Sequence, residues 1–408
     1  MNYKIRLKVL AITLLVVGNV HAANPELQDL FFAACVNPSA ALAARCAETD
    51  SALGNLSGDS ESSLNPSQSL SGNQVALRAA LSRSEEARTR AEGTTNTDES
   101  VRMDIGKFSL LFNVGRTWEE LDRTQDRDEE RGYDADSDTL EVGFDYRLSN
   151  SSVIGLQIVS SRTDLEFERE SLGRNFTPAS DAGEIQSDTL GVTAFLAFGL
   201  GEQGYMDISL GMQSGEADYQ RNSVFQESNR VVGQTNSLVK GSADTDTTWA
   251  SINAGWQIPV ESWSFGIQGG LTFSDSEVDS FVERDTSGSG LAMRFSGSNQ
   301  QSLVGTLGLR LQRAISTESG VIIPYASVTY GYEFEDDAND MRAGYVLDAS
   351  ANSFQLSGDK PDSGFVTSSI GISTVFANGW MPFLDISYWS GYEDLDRLGV
   401  RAGLRKEL

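Results

Sequence analysis

The sequence predicts an all-β fold: a twelve-stranded antiparallel transmembrane β-barrel carrying a short, mostly helical N-terminal segment. Three observations predict it. From residue 106 onward, apolar side chains recur at every second position in a dozen separate runs. The connections between runs alternate in length: those near 149–151, 200–203, 259–262, 315–319 and 377–379 are short, whereas those near 123–136, 168–184, 221–243, 281–297 and 337–362 are long, polar and acidic. Trp256, Trp263 and Trp380 each fall on the apolar face beside a short turn. One-sided strands, turns of unequal length at the two ends and an aromatic girdle belong together in barrels that cross a bilayer by strands. Lipid offers no partner for a free sheet edge, so the sheet must close, and an even strand number returns the chain to the short-turn side.

The elements follow in chain order. Residues 1–22 read as a secretory signal: basic Lys4, Arg6 and Lys8, an apolar run from 9 to 17, and Val20-His21-Ala22 before the cleavage point. Residues 23–50 read as a helical hairpin, with Leu27, Leu30, Phe31 and Ala34 at helical spacing and Asn37-Pro38 breaking the helix. Cys35 and Cys46 are the two cysteines, and export makes a disulfide between them the default. On one unbroken helix they would lie roughly 16 Å apart, so the break is what permits the bridge. Residues 51–105 contain a Ser/Gly/Asn-rich linker over 51–73, then a helix over 74–90 carrying Val75, Leu77, Ala80 and Leu81.

The barrel occupies 106–408. Its first strand places Phe108, Leu110, Phe112, Val114 and Trp118 on one face. The second opposes Leu140, Val142, Phe144, Tyr146 and Leu148 to Glu141, Asp145 and Arg147. The best-defined pair spans 302–334, where Leu303, Leu307, Leu309 and Leu311, then Ile322, Pro324, Ala326, Val328 and Tyr330, share the apolar side. The other face carries Arg147, Gln157, Thr193, Asp207, Asn253, Gln257, Gln268, Arg310 and Asp385, too polar for a packed core and suited to a hydrated lumen. A run of about 18 apolar residues is absent, so no membrane-spanning helix is expected.

Charge and composition exclude several functions. The chain holds 58 acidic against 31 basic residues, net −27, and signal cleavage removes three of the basic ones, so nucleic acid is not a partner. His21 is the single histidine and leaves with the signal, which removes histidine-based catalysis and histidine metal ligation. Glu119-Glu120, Glu129-Glu130 and Asp336-Asp337 read as solvated charge rather than acid–base pairs. Asp134, Asp136 and Asp138 look like the opening of a calcium loop, but Thr139 stands where that loop needs glycine and Asp145 where it needs glutamate. Ser287-Gly288-Ser289-Gly290 lacks the lysine of a phosphate loop. Hence no enzyme activity, no cofactor and no metal is expected.

Several stretches carry a family resemblance: Ile323-Pro324-Tyr325 through Tyr332-Glu333-Phe334-Glu335-Asp336-Asp337, then Asp348, Phe354, Pro361-Asp362, Phe365 and Gly371, and separately Gly143 to Ser149. Residues 106–408 resemble the C-terminal barrel of bacterial autotransporters, the type V secretion translocators. The resemblance implies a Gram-negative outer-membrane location and an α-helix threaded through the pore, for which 74–90 is the match. It also implies assembly by the outer-membrane barrel-assembly machinery, which reads the last strand. Arg401, Gly403 and terminal Leu408 fit that assembly signal, whereas Lys406 and the missing terminal phenylalanine depart from it. About 80 residues separate the signal from the first strand, with no β-helix repeat, so the expected role is a translocator of its own N-terminal segment with a reduced or absent passenger. A passive pore or a surface-adhesive protein is the alternative. Membrane lipid and lipopolysaccharide are the expected surroundings, and the protein is expected to be a monomer.

Overall fold

The computed structural model describes residues 25–48, 64–95, 107–123, 131–149, 151–168, 182–225, 235–335, 337, 339–358, 363–392 and 394–408. The expected signal peptide, Glu129-Glu130, Asp336 and Pro361-Asp362 lie outside the described residues.

Twelve long strands form the barrel: β1 Phe108–Leu121, β2 Tyr133–Ser149, β3 Ser152–Phe167, β4 Gly183–Leu200, β5 Gly204–Phe225, β6 Thr235–Val260, β7 Trp263–Val278, β8 Ser298–Arg313, β9 Gly320–Glu333, β10 Gly364–Phe376, β11 Trp380–Tyr392 and β12 Leu395–Glu407. Each pairs antiparallel with its sequence neighbours, and β1 pairs with β12 from Ser109↔Glu407 to Leu121↔Leu395. The sheet therefore has no free edge, as a bilayer requires. Leu408 donates its backbone N–H to Phe108 O at 2.8 Å, closing the seam at the short-turn end. Pro324 sits between two pairing segments, Gly320–Ile322 with Ile315–Thr317 and Tyr325–Glu333 with β8, where its missing N–H leaves no gap in the ladder.

The predicted faces are the observed ones. Phe112, Val142, Ile158, Leu190, Leu210, Leu309 and Ile370 are exposed on the outside and make the lipid-facing belt. Trp256, Trp263 and Trp380 stand half-exposed at the short-turn rim. Glu141, Gln157, Thr193, Asp207, Asn253, Gln257 and Gln268 are buried on the inner face. Where large rings point inward, the neighbouring strand supplies glycine. Trp249 lies over its cross-strand partner Gly211 and Phe383 over Gly403, and a Cβ at either glycine would enter the ring.

The structure corrects the sequence reading at the long-loop end. Residues 221–243 were expected to be loop, yet β5 and β6 run 22 and 26 residues through most of that stretch. The alternation keeps its phase while its polarity inverts. Above the lipid belt the inner positions turn apolar (Leu121, Tyr133, Leu165, Phe167, Ile185, Tyr219), and the outer positions turn acidic (Asp134, Asp136, Asp164, Glu166, Glu216, Asp244). Asp134, Asp136 and Asp138 lie in β2, not in a loop, and an extended strand cannot wrap its carboxylates round a cation; Arg116 pairs with Asp136 at 3.0 Å and Asp138 at 3.6 Å. The connections 279–297 and 334–363 contribute Phe281–Val282, Met293–Phe295, Asp340–Tyr345 and Phe354–Ser357 to a second, four-stranded sheet at this end. Near the last connection there, β11 is irregular at Gly391 (φ 89°), between the Trp389↔Arg397 and Tyr392↔Leu395 pairs, and Asp394 takes φ 64° just before β12.

The N-terminal helices are α1 Pro25–Ala34, α2 Ala40–Glu48 and α3 Ser71–Thr95, the last preceded by a 3-10 turn at Ser67–Leu70. α3 is longer at both ends than the expected 74–90. The expected linker is packed from Leu64 onward, with Leu64 and Ser67 to Leu70 all buried. The expected hydrated lumen is largely filled by α3.

Candidate functional site

The functional feature is the lumen and what occupies it. No helix among the described residues is long and apolar enough to cross a membrane, which says nothing of the strands. α3 is instead a polar helix inside a polar wall. Its 25 residues extend about 38 Å, enough to traverse a hydrocarbon layer of about 30 Å.

α3 enters from the long-loop end. There Asn339 donates from Nδ2 to Leu70 O at 3.1 Å, and Gln68 donates from Nε2 to Ala182 O at 2.7 Å. One turn in, Asn73 donates to Ser298 Oγ at 2.9 Å and accepts from Ser276 at 3.2 Å. Deeper, Arg78 grips Glu119 with two donors, at 2.6 and 3.3 Å. Tyr133 accepts from Arg78 and donates to Glu119 at 2.8 Å. Arg397 approaches the same carboxylate at 3.5 Å and donates to Ser82 Oγ at 3.1 Å. One buried acid thus takes a two-donor fork from Arg78, a phenol from Tyr133 and the nearby charge of Arg397. Midway, Ser84 and Thr272 hydroxyls meet at 3.0 Å, and Glu86 pairs with Arg401 at 3.0 Å. Towards the short-turn end Ala87 packs on Val153, Phe195 and Ala197. The helix thus points its N-terminus outward and its C-terminus towards the short turns.

The wall has its own bonds. Asn113 donates to Glu141 at 2.7 Å, and Gln157 donates to the same carboxylate. Tyr325 donates to Asp385 at 2.7 Å beneath the Arg310 guanidinium, which lies 4.0 Å from the ring centre. Arg147 and Arg405 meet Glu407 at 3.6 and 3.9 Å beside Asp145, tying the last strand to β2.

Above the lumen sits a cap. The Cys35–Cys46 disulfide joins α1 and α2 with Cα atoms 5.5 Å apart. The intervening turn holds the four-stranded sheet: Ser39 donates its N–H and its hydroxyl to Leu347 O at 3.0 and 2.8 Å, and Pro38 bridges Asp348. Arg45 donates to Thr235 on β6. Phe31, fully buried, packs its ring 5.7 Å from Phe225 and 5.9 Å from Tyr345. Arg221 and Glu283 form a buried two-donor pair at 3.0 and 2.7 Å that folds the 279–297 connection back onto β5.

Of the residues the sequence singled out, Arg401 points into the lumen onto α3, Gly403 receives the Phe383 ring, and Leu408 is exposed at the closing seam. Glu119 and Glu120 face opposite sides of β1. The glycine-containing loop cradles an anion of its own: Asp285 accepts backbone N–H groups of Ser287 at 2.9 Å, Gly288 at 2.8 Å and Gly290 at 2.6 Å. Among the described residues no group of three or more acidic, histidine or cysteine side chains is placed to hold a metal. Sequence reasoning missed Arg78, Tyr133 and Arg397. The first falls on the predicted helix, and nothing local marks its partners.

Comparison with known proteins agrees with this architecture. The model of the autotransporter β-domain matches residues 110–387. The translocator domain of NalP from Neisseria meningitidis superposes with a TM-score of 0.56 at 13% identity, covering 81% of this chain and 98% of that one. A protein called Lipase 1 from Photorhabdus luminescens is 28% identical over 255 residues, 62% of this chain and 35% of that protein. Outer membrane protein A of Rickettsia conorii is 24% identical over 242 residues, 57% of this chain and 11% of that protein. The chain thus spans about a third or less of these relatives' length.

Proposed function

We infer the protein's role from one premise: the chain belongs to the autotransporter family, whose β-domain is matched over residues 110–387. It is an outer-membrane translocator barrel of a Gram-negative bacterium with its N-terminal helix in the lumen. Barrels of this family are inserted by the barrel-assembly machinery, and the family domain is a translocator rather than a catalyst.

We propose that the segment this barrel has exported includes residues 25–70, and that it stays attached as the cap. The observation that supports this is the direction of α3. Short turns of such barrels face the periplasm and long loops face outside. Residues 25–48 and 64–70 follow the signal in the chain, yet they sit on the long-loop sheet, and α3 descends from there. Passage through the lumen accounts for that arrangement. We assign Arg401, Gly403 and Leu408 to recognition of the last strand, with Arg401 also holding α3. No catalysis is assigned, because the single histidine leaves with the signal. We take the barrel to be a monomer whose outward acidic positions approach lipopolysaccharide head groups through bridging divalent cations. An open passive pore is not favoured, since both lumen and mouth are occupied.

Protease shaving of intact cells with an epitope inserted within 51–73 tests the proposal. Cleavage on whole cells is expected. Protection until the outer membrane is breached would place the segment in the periplasm and refute it.

A further inference from the structure

The lumen is not filled evenly. α3 packs closely against β3 to β8. Across from it, the wall of β9 to β12 with β1 and β2 is bridged to α3 by long side chains, Arg78 reaching out from the helix and Arg397 reaching in from β12. Between them lies a cavity of about 160 Å³. Its lining mixes small hydroxyl side chains, among them Ser137, Thr163, Ser327 and Ser369, with charged ones of both signs such as Glu85, Arg310 and Asp385. Those hydroxyls pair along the wall, Ser137 with Thr163 and Ser327 with Ser369, each at 2.8 Å. A polar cavity of this size holds several waters, so the helix leaves a hydrated strip beside itself.

The mouth is built differently. One continuous apolar cluster joins the cap (Leu27, Phe31, Leu42) to the inner faces of β1, β2, β3, β4, β5, β7 and β12. An ion in water between hydroxyls keeps its hydration, whereas an ion in such a cluster loses it at a cost of several kcal/mol or more. The two layers therefore differ in what they stop.

We propose that the seal of this barrel is the disulfide-closed cap and not the helix, and that unseating the cap with α3 still in place opens a narrow conduit for small ions and hydrophilic solutes along the hydroxyl-lined wall. The helix then acts as a strut that holds the barrel's shape and tethers the cap. This assignment does not depend on how residues 25–70 reached the outside.

Planar-bilayer recording of the full chain tests it. Phe31→Asp places a charge in the cap cluster, and Cys35→Ser with Cys46→Ser loosens the cap without adding one. To keep α3 seated, Ser84→Cys and Thr272→Cys are introduced together, since those two hydroxyls already touch. A shifted gel mobility after reduction verifies the tether, and heat-dependent mobility verifies the folded barrel. With the tether closed, discrete conductance steps are expected from either cap variant and none from the tethered chain with a native cap. Steps that appear in the Cys35→Ser, Cys46→Ser chain, where the tether is the one disulfide, only after that tether is reduced would make α3 the seal and overturn the proposal. So would equal conductance from the native-cap chain, which would show that the cap seals nothing.

Discussion

Replacing Glu119 by alanine should unseat α3 without opening the barrel. Glu119 is buried, accepts hydrogen bonds from Arg78 and Tyr133, and has the Arg397 guanidinium as a second charge partner at 3.5 Å. Removing one partner of a buried ion pair costs about 3–5 kcal/mol, because the remaining charge is left without compensation. Here two guanidinium groups lose their acid, one from α3 and one from β12, and they repel each other across the gap. If that cost falls on the seated helix, exchange of the α3 backbone amides through local opening should accelerate by roughly two to three and a half powers of ten. Amides of β4 to β7, whose ladder is untouched, should exchange at the native rate. Hydrogen exchange read by mass spectrometry on residues 71–95 against the strands makes the comparison. Adding Arg78→Met to Glu119→Ala should recover part of the loss, since the helix then brings no orphan charge. Unchanged exchange in α3, or equal acceleration in helix and strands, would refute the view that this carboxylate fastens the helix to the wall.

Other expectations follow from the same geometry. Cys35→Ser with Cys46→Ser should lower cap stability by about 3 kcal/mol, the loop-closure value for a ring of this size; protease cutting within 25–48 should quicken while the heat-dependent gel shift of the barrel stays put. Gly211→Ala should cost about 1–3 kcal/mol by forcing the Trp249 indole off its partner, lowering the temperature of the heat-dependent shift, and Trp249→Leu in the same chain should restore part of it. Acid should act with opposite sign on two external carboxylates. Burial, with the neighbouring Asp122, Asp134 and Glu120, raises Glu168 above the usual carboxylate range, so its protonated form is favoured in the fold and the 122–133 connection should gain protection as pH falls towards that range, a gain abolished by Glu168→Gln. Asp285 is pushed up by burial but pulled further down by the N–H groups of Gly290, Ser287 and Ser289 and the Ser287 hydroxyl. Its contribution is present above the ordinary carboxylate pKa and lost as pH falls through its lowered one, so amides of 285–291 should lose protection there, and a gain would count against the cradle.

The sequence by itself determined the barrel and its orientation. A strand's two faces meet lipid or lumen at a period of two, and the chain must satisfy that at every residue in the bilayer, so the pattern is written locally in Leu140, Val142 and Phe144 against Glu141 and Asp145. Turn lengths and the two cysteines are local in the same sense. The rest required the tertiary structure. Beyond the lipid the same alternation continues with its polarity inverted, so Phe225, Val239 and Ala243 looked like loop; the signal was the unbroken parity of the apolar positions, and its cause is a cap packed inside the mouth. Which acid meets which arginine depends on the stagger of closed strands and on the rotation of α3 about its axis, quantities set by the whole ring. Glu119 meets Arg397, 278 positions further along the chain, and Arg78 of α3 only because β1 and β12 close the cylinder around a helix lodged in the lumen.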